Sequence, residues 1–504
     1  PKPVLLSYSA NGTPLAQSHT FVTRTGAGLH TPSTPALHIT VAQPLAANGW
    51  TTDSKLLGQL VDEGGISSSK LAKIAMPSKD DDARLKSLQQ TFAKHNMLQV
   101  VGDPTYLQAM AMPTRVDGIT QPALFDITAY SAMNNAPAYS AAGINDRQWS
   151  AAKARKTYQS ALGDSNADIT AYAWQGNGNW TLQALTKARQ QGYGTVIATH
   201  DFEEDDAATV RTGKTVVSTD AGDVTVLSAQ NVLSGLAQGK ATSDDANADS
   251  EGTTAGRLAR FVAQSAFYQM EQPYTSRYLL MTFSRTTEAS WIDQVMSAFE
   301  QASWLNLTDL KTMAKADPYN VSDSVNPDKA DDANTANTRS ALRQLADSRH
   351  DIMRMATSIL RNEIDSDEVS SLDPQALARQ DANDTASHSN DPTQWIGSLL
   401  ALHDDMALRS MSGSPQPTAT RKAMVKATKT LASDLLNGVR INPSESISVF
   451  SESAKMPITV SNDLPYAVSV QVNSLTDSMQ IVTSRTADTV SYTHLRAHET
   501  LSDL

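Results

Sequence analysis

The chain has 504 residues, 40% of them apolar and 19% charged, and carries a formal net charge of −12. Such a length predicts about three domains, and the apolar share excludes wholesale disorder. The acidic balance argues against a nucleic-acid partner held by its phosphates. The absence of cysteine excludes disulfides, thiolate metal sites and a cysteine nucleophile, and no apolar run reaches the ~18 residues that span a bilayer.

In chain order, residues 4–8 and 19–23 read as strands around an Asn11-Gly12 turn. A lone hairpin is marginal, so residues 1–30 are expected to be the end of an immunoglobulin-like β-domain whose earlier strands lie outside this sequence. Residues 24–35, rich in Gly, Thr, Ser and Pro, read as a linker. A strand at 37–41 leads to a helix at 53–63, with Asp53 as its cap and Gly64-Gly65 as its stop. A helix at 80–95 and a buried-type strand at 97–101 follow, the strand ended by Gly102-Asp103-Pro104. Next come helices at 146–162, 180–191, 255–271 and 289–302, interleaved with strands at 168–174, 194–199, 224–228 and 277–283. This alternation predicts an α/β fold with mainly parallel strands over 36–316. A (β/α) barrel fits it better than an open dinucleotide-binding sheet, since no Gly-x-Gly-x-x-Gly follows the first strand.

The acidic stretches 239–254 and 317–338 read as a loop and a domain edge. A helical region is expected over 338–440, with helices at 339–363, 394–411 and 418–437. Period-two patterning then begins at Ile447 and Val449, continues at Ile458 and Val460, and again at Val468, Val470 and Val472. It predicts the start of a C-terminal β-sandwich over 444–489. Residues 490–500 (VSYTHLRAHET) resemble the translation of a transposase sequencing adapter, so Val490–Leu504 is expected to be read-through, and the His494, His498, Glu499 spacing is discounted as a zinc motif.

A barrel keeps its chemistry at the C-terminal ends of its strands. The catalytic candidates there are Asp103, His200 and Asp201, and the ligand-binding candidates are Gln43, Trp174, Asn177, Asn179 and Trp180. Asp103 is placed to act as a base or to hold a sugar hydroxyl, or simply to cap its turn. His200 and Asp201 have the chemistry of a proton shuttle, while the acidic run 203–206 fits a solvated loop. Trp174 and Trp180 beside an Asn-rich loop could stack on sugar rings or pack in the core. Before the tail no two histidines stand four apart, so no metal and no cofactor is expected.

Four stretches resemble an uncharacterised family of exported bacterial proteins, grouped as a domain of unknown function and often encoded beside the lipid II flippase. They are LHITVAQPLAANGW…LLGQLVDEGG (37–65), LQVVGDPTYL (98–107), RLARFVAQSAFYQMEQPYTSRYLLMTF (257–283) and SISVFSESAKMPITVSNDLPYAVSVQV (446–472). The resemblance implies an exported, membrane-anchored envelope protein with an immunoglobulin-like N-terminal domain, a central barrel akin to deacetylases and glycosidases, and a C-terminal β-domain. Where relatives place Pro and Asp after the strand at 168–174, this chain has Gln175-Gly176-Asn177-Gly178-Asn179-Trp180. The expected function is therefore a non-catalytic or degenerate barrel that binds cell-wall glycan or envelope-assembly proteins. The alternatives are a carbohydrate-active hydrolase or deacetylase of the wall, and an interaction module using exposed β-edges.

Overall fold

The computed structural model describes residues 1–23, 34–64, 66–200, 202, 209–240, 253–319, 332–361, 392–413, 417–442, 456–473, 475, 486–491 and 497–501. The expected linker, the acidic loop around 239–254, the strand at 447–449, Asp201 and the run 203–206 lie wholly or mostly outside them.

The chain opens with the antiparallel hairpin β1 (Lys2–Ala10) and β2 (Thr13–Val22). Asn11 and Gly12 both have positive φ, 50° and 77°, as a tight primed turn requires. The α/β part then supplies β3 (Leu37–Leu45), β4 (Trp50–Thr52), β5 (Ala75–Pro77), β6 (Leu98–Gly102), β7 (Gly118–Ile119), β8 (Ala173–Trp174), β9 (Thr195–Ala198), β10 (Lys214–Val217), β11 (Val224–Ser228), β12 (Tyr278–Thr282) and β13 (Leu305–Thr308).

Parallel pairing runs β12-β3-β6-β7 in one sheet and β11-β9-β8 in another. Single parallel bridges, Ile119 to Ala171 and Ala229 to Leu280, join the two at both ends. The path of neighbours thus passes through seven strands and returns to β3, a curled parallel sheet within a mixed α/β fold. Side-chain alternation divides the strands between two cores. Val41, Val100, Ala173, Val196, Val226 and Leu279 face the helices, while their successors Ala42, Val101, Trp174, Ile197, Leu227 and Leu280 gather inside the curl. Gly118 makes room for one inner ring, since a Cβ there would stand 2.5 Å from Tyr172.

The N-terminal end of the curl is filled by an element too short to be read from the sequence. β13 pairs with residues 37–40 of β3, and the Leu310–Lys315 helix after it puts Leu310 and Met313 into the inner cluster. Thr40 and Thr308 share a hydroxyl hydrogen bond of 2.9 Å beside it. The strand expected at 168–174 is only Ala173–Trp174, because its neighbour β7 is two residues long and offers one bridge.

Helices Asp332–Arg354, Pro392–Ser410 and Pro417–Asn437 pack on this body. Trp395, Leu399, Met406, Met424 and Leu431 belong to the same buried cluster as Ile39 and Leu98. Trp395 Nε1 donates to the Leu60 carbonyl at 2.8 Å, tying the second of these helices to the Ser54–Asp62 helix. The chain ends in small antiparallel sheets: β14 (Val439–Asn442) with β15 (Met456–Asn462), β16 (Val468–Asn473) with β17 (Thr486–Ser491), and β18 (Ala497–Leu501) against β15. Strands β17 and β18 thus include residues 490–491 and 497–501 of the segment expected to be read-through.

Candidate functional site

The loops that leave β3, β6, β7, β8, β9 and β12 meet at the C-terminal end of the curled sheet. Asp103, directly after β6, caps the Pro104–Ala109 helix by accepting the Thr105 amide at 2.9 Å. The same Oδ1 accepts the Ala123 amide at 2.9 Å. The carboxyl is 2% exposed, and burial pushes it up to about 7, opposed by these amides and by the nearby Arg409 charge.

A second acid, Asp126, was not singled out by the sequence reading. It caps the Ile127–Met133 helix and accepts the Thr128 hydroxyl at 2.6 Å and the Ala129 amide at 2.9 Å. Its other oxygen accepts both the backbone and side-chain N–H of Asn177, at 3.0 and 3.1 Å. Gly176 permits this approach: a Cβ on it would fall 2.0 Å from Asp126 Oδ1. The signal that could have found Asp126 is a cap residue directly before Ile-Thr-Ala-Tyr.

Gln175 serves as the bracket of the neighbouring loop. Its oxygen accepts the amides of Thr199 at 2.6 Å and His200 at 3.2 Å. Its nitrogen donates to the Gly178 carbonyl at 3.0 Å and lies 3.3 Å from His200 Nε2. The structure thus brings Asn177 to Asp126 and His200 to Gln175. Gln43 is fully buried, its amide donating to the Pro44 and Ser284 carbonyls. Trp174 lies in the inner cluster, and Trp180, 2% exposed, donates its indole N–H to the Ile197 carbonyl at 3.1 Å. Asn179 is exposed beside it.

The turn after the Pro392–Ser410 helix crosses this end of the sheet. Asp126 N donates to the Met411 carbonyl at 3.0 Å, and Gly413 N to the Leu124 carbonyl at 2.8 Å. On the outer face, a cleft of about 580 Å³ runs between the Asp332–Arg354 and Pro417–Asn437 helices. Ser340, Gln344, Lys422, Lys426, Lys429 and Ser433 line it. Among the described residues no three His, Asp or Glu side chains gather to hold a metal ion, and no helix is long and apolar enough to cross a membrane.

Fold and site together define a mixed α/β protein with a curled parallel sheet whose mouth is built from capping carboxylates and side-chain amides. The chain belongs to DUF6049, a family of unknown function, whose model matches residues 1–500. No curated protein matches its sequence. Among solved structures, the novel α-amylase AmyC from Thermotoga maritima is similar with a TM-score of 0.42 and 8% identity, over 80% of this chain and 92% of that one.

Proposed function

We propose that this chain is an exported, envelope-anchored binding protein whose barrel is a scaffold and not a catalyst, and that it holds cell-wall glycan. One observation carries the reading: the polar groups at the sheet's mouth are committed to holding loops. Asp103 fastens Thr105 and Ala123, Asp126 fastens Thr128, Ala129 and Asn177, and Gln175 fastens Thr199 and His200. The cleft on the helical face has a volume typical of ligand sites. Its hydroxyls, the amides of Asn337 and Gln344, and the exposed Lys422, Lys426 and Lys429, which outnumber its one carboxylate, Asp434, suit a glycan that bears acidic groups. Co-sedimentation with purified cell-wall sacculi tests this. Binding is expected, with a loss of at least about tenfold (about 1.4 kcal/mol) in the Lys422→Glu, Lys426→Glu, Lys429→Glu triple variant and none in Asp103→Asn. A chain that stays in the supernatant removes the proposal.

A second reading, a wall hydrolase or deacetylase, draws on the Asp103 carboxyl. Held up to about 7, it keeps a proton near neutrality, as a general acid must. Release of reducing sugar or acetate from peptidoglycan fragments, abolished by Asp103→Asn or His200→Ala, would favour it over the first.

A further inference from the structure

The cleft between the Asp332–Arg354 and Pro417–Asn437 helices has a floor unlike its rim. Lys422, Lys426 and Lys429 line it as exposed side chains, whereas Ala341 and Val425 are 5% and 6% exposed. Arg421 belongs with the floor, since it lines the cleft and is only 8% exposed. It stands one helical turn before Val425, so the two share a face.

The Arg421 guanidinium is held at one corner. Its Nε donates to the Ser410 carbonyl at 3.2 Å, at the end of the Pro392–Ser410 helix. Its two terminal nitrogens make no hydrogen bond or ion pair among the described residues, and neither is one of the sealed, unbonded atoms of the interior. As Arg421 lines the cleft, they open onto it. Burial pushes this group's pKa down, opposed by Tyr139 and by the Asp126 carboxylate. The Asp126 oxygens are already engaged by Thr128, Ala129 and Asn177. Asp126 therefore favours the charge of Arg421 without occupying its N–H groups. The acid that lines the cleft, Asp434, sits about 20 Å further along the same helix at 1.5 Å per residue.

A nearly buried guanidinium with free N–H groups has lost much of its hydration. It presents a fork that matches two oxygens of a carboxylate or a phosphate. The rim lysines attract anions as point charges and select no such geometry.

We propose that Arg421 determines specificity in this cleft, its two terminal nitrogens chelating one oxyanion group, a carboxylate or a phosphate ester, of an acidic sugar that lies over Val425 and Ala341. This role deepens the proposed glycan site and rests on it for the ligand being a sugar.

The test is isothermal titration of the full chain with glucuronate, glucose 6-phosphate and neutral glucose. At least one of the charged sugars is expected to bind about tenfold or more tighter than glucose, and the tighter of the two identifies the group. Arg421→Lys keeps the charge but loses the fork, and is expected to lose most of that preference; Arg421→Gln is expected to lose all of it. Should both variants fail to fold, salt decides on the wild type. Attraction to exposed lysines is screened away toward 1 M salt, where the Debye length is ~3 Å, whereas chelation at a buried fork is screened far less. No preference, a preference that vanishes in high salt, or one that survives intact in both variants would overturn the proposal. None of these outcomes removes sacculus binding through the lysines. Conversely, a chain that prefers charged sugars but leaves sacculi in the supernatant keeps the Arg421 site and loses the wall as its ligand.

Discussion

Asp103 Oδ1 accepts the amide of Ala123 at 2.9 Å, and Ala123 is held at a φ of 56°, in the left-handed region that alanine rarely adopts. The carboxyl thus fastens the loop after β6 to a strained loop after β7, and strain of this kind persists only where surrounding bonds impose it.

This bond has a pH signature. Burial holds the folded carboxyl at about 7, against 3.8 for the free group. Between about pH 4 and pH 7 the unfolded chain therefore binds fewer protons than the folded one. The group's contribution is intact below that window, falls as pH rises through it, and is flat above. A tenfold change in a proton's affinity corresponds to about 1.4 kcal/mol, so the fall is on the order of a few kcal/mol. Urea unfolding of the wild type and Asp103→Asn across this range is expected to show their difference changing with pH; a constant difference would mean that the folded carboxyl is ionised throughout.

Gly176→Ala is expected to be severely destabilising. The new Cβ would meet Asp126 Oδ1 at 2.0 Å, so either the loop or the cap of the Ile127–Met133 helix must give way. A cost of about 2 kcal/mol or more is expected from the lost cap and the displaced carboxylate, read as a shift in the urea midpoint. The same substitution at Gly12, where no atom lies within 4 Å of the added carbon, carries only the strain of its positive φ and serves as the comparison.

Met313→Ala empties part of the plug. Met313 is fully buried in the inner cluster, and truncations of this kind cost about 2–5 kcal/mol when the cavity cannot collapse. The curled sheet and the Leu310–Lys315 helix enclose this cluster, so a value in the upper half of that range is expected by denaturant titration.

Ser348, His403 and Asp404 have the spacing of a charge relay. Ser348 Oγ lies 3.0 Å from His403 Nε2, and His403 Nδ1 lies 3.0 Å from Asp404 Oδ1. Ser348 is 3% and His403 0% exposed, however, and Ser348 Oγ donates to the Leu345 carbonyl at 3.0 Å. The group is a buried strut between two helices, and Arg349 adds a bond to the same carboxylate at 3.0 Å. Ser348→Ala is expected to cost about 1–3 kcal/mol of stability and to leave an active-site serine probe unreacted in the wild type as well as in the variant.

What the sequence revealed was what local chemistry controls. Asp53 does cap its helix, accepting the amides of Lys55 and Leu56 at 2.9 and 3.1 Å, and Gly64 stands at a φ of 75° beyond it. The helices at 182–190, 254–271 and 289–300 fall within about two residues of their expected bounds. The order of strands around the curl was not legible, because pairing such as β12 with β3 joins residues far apart in the chain. The plug at 310–315 was missed because six residues cannot establish a helical period. Arg421 escaped notice because nothing in its own neighbourhood marks it; only folding sets it in the floor of the cleft. Trp174 and Trp180 were readable as stacking platforms or as core, and burial places both side chains among apolar neighbours.

The larger apolar cluster runs without interruption from Leu37 in β3, through Trp395 and Leu431 in the helices, to Val468 in β16. Sheet and helical layer consequently share one melting unit. Neither half can be excised as an independent module without wetting a face that the other keeps dry, so dissection of this chain by truncation will report on collapse, and only point substitutions will report on role.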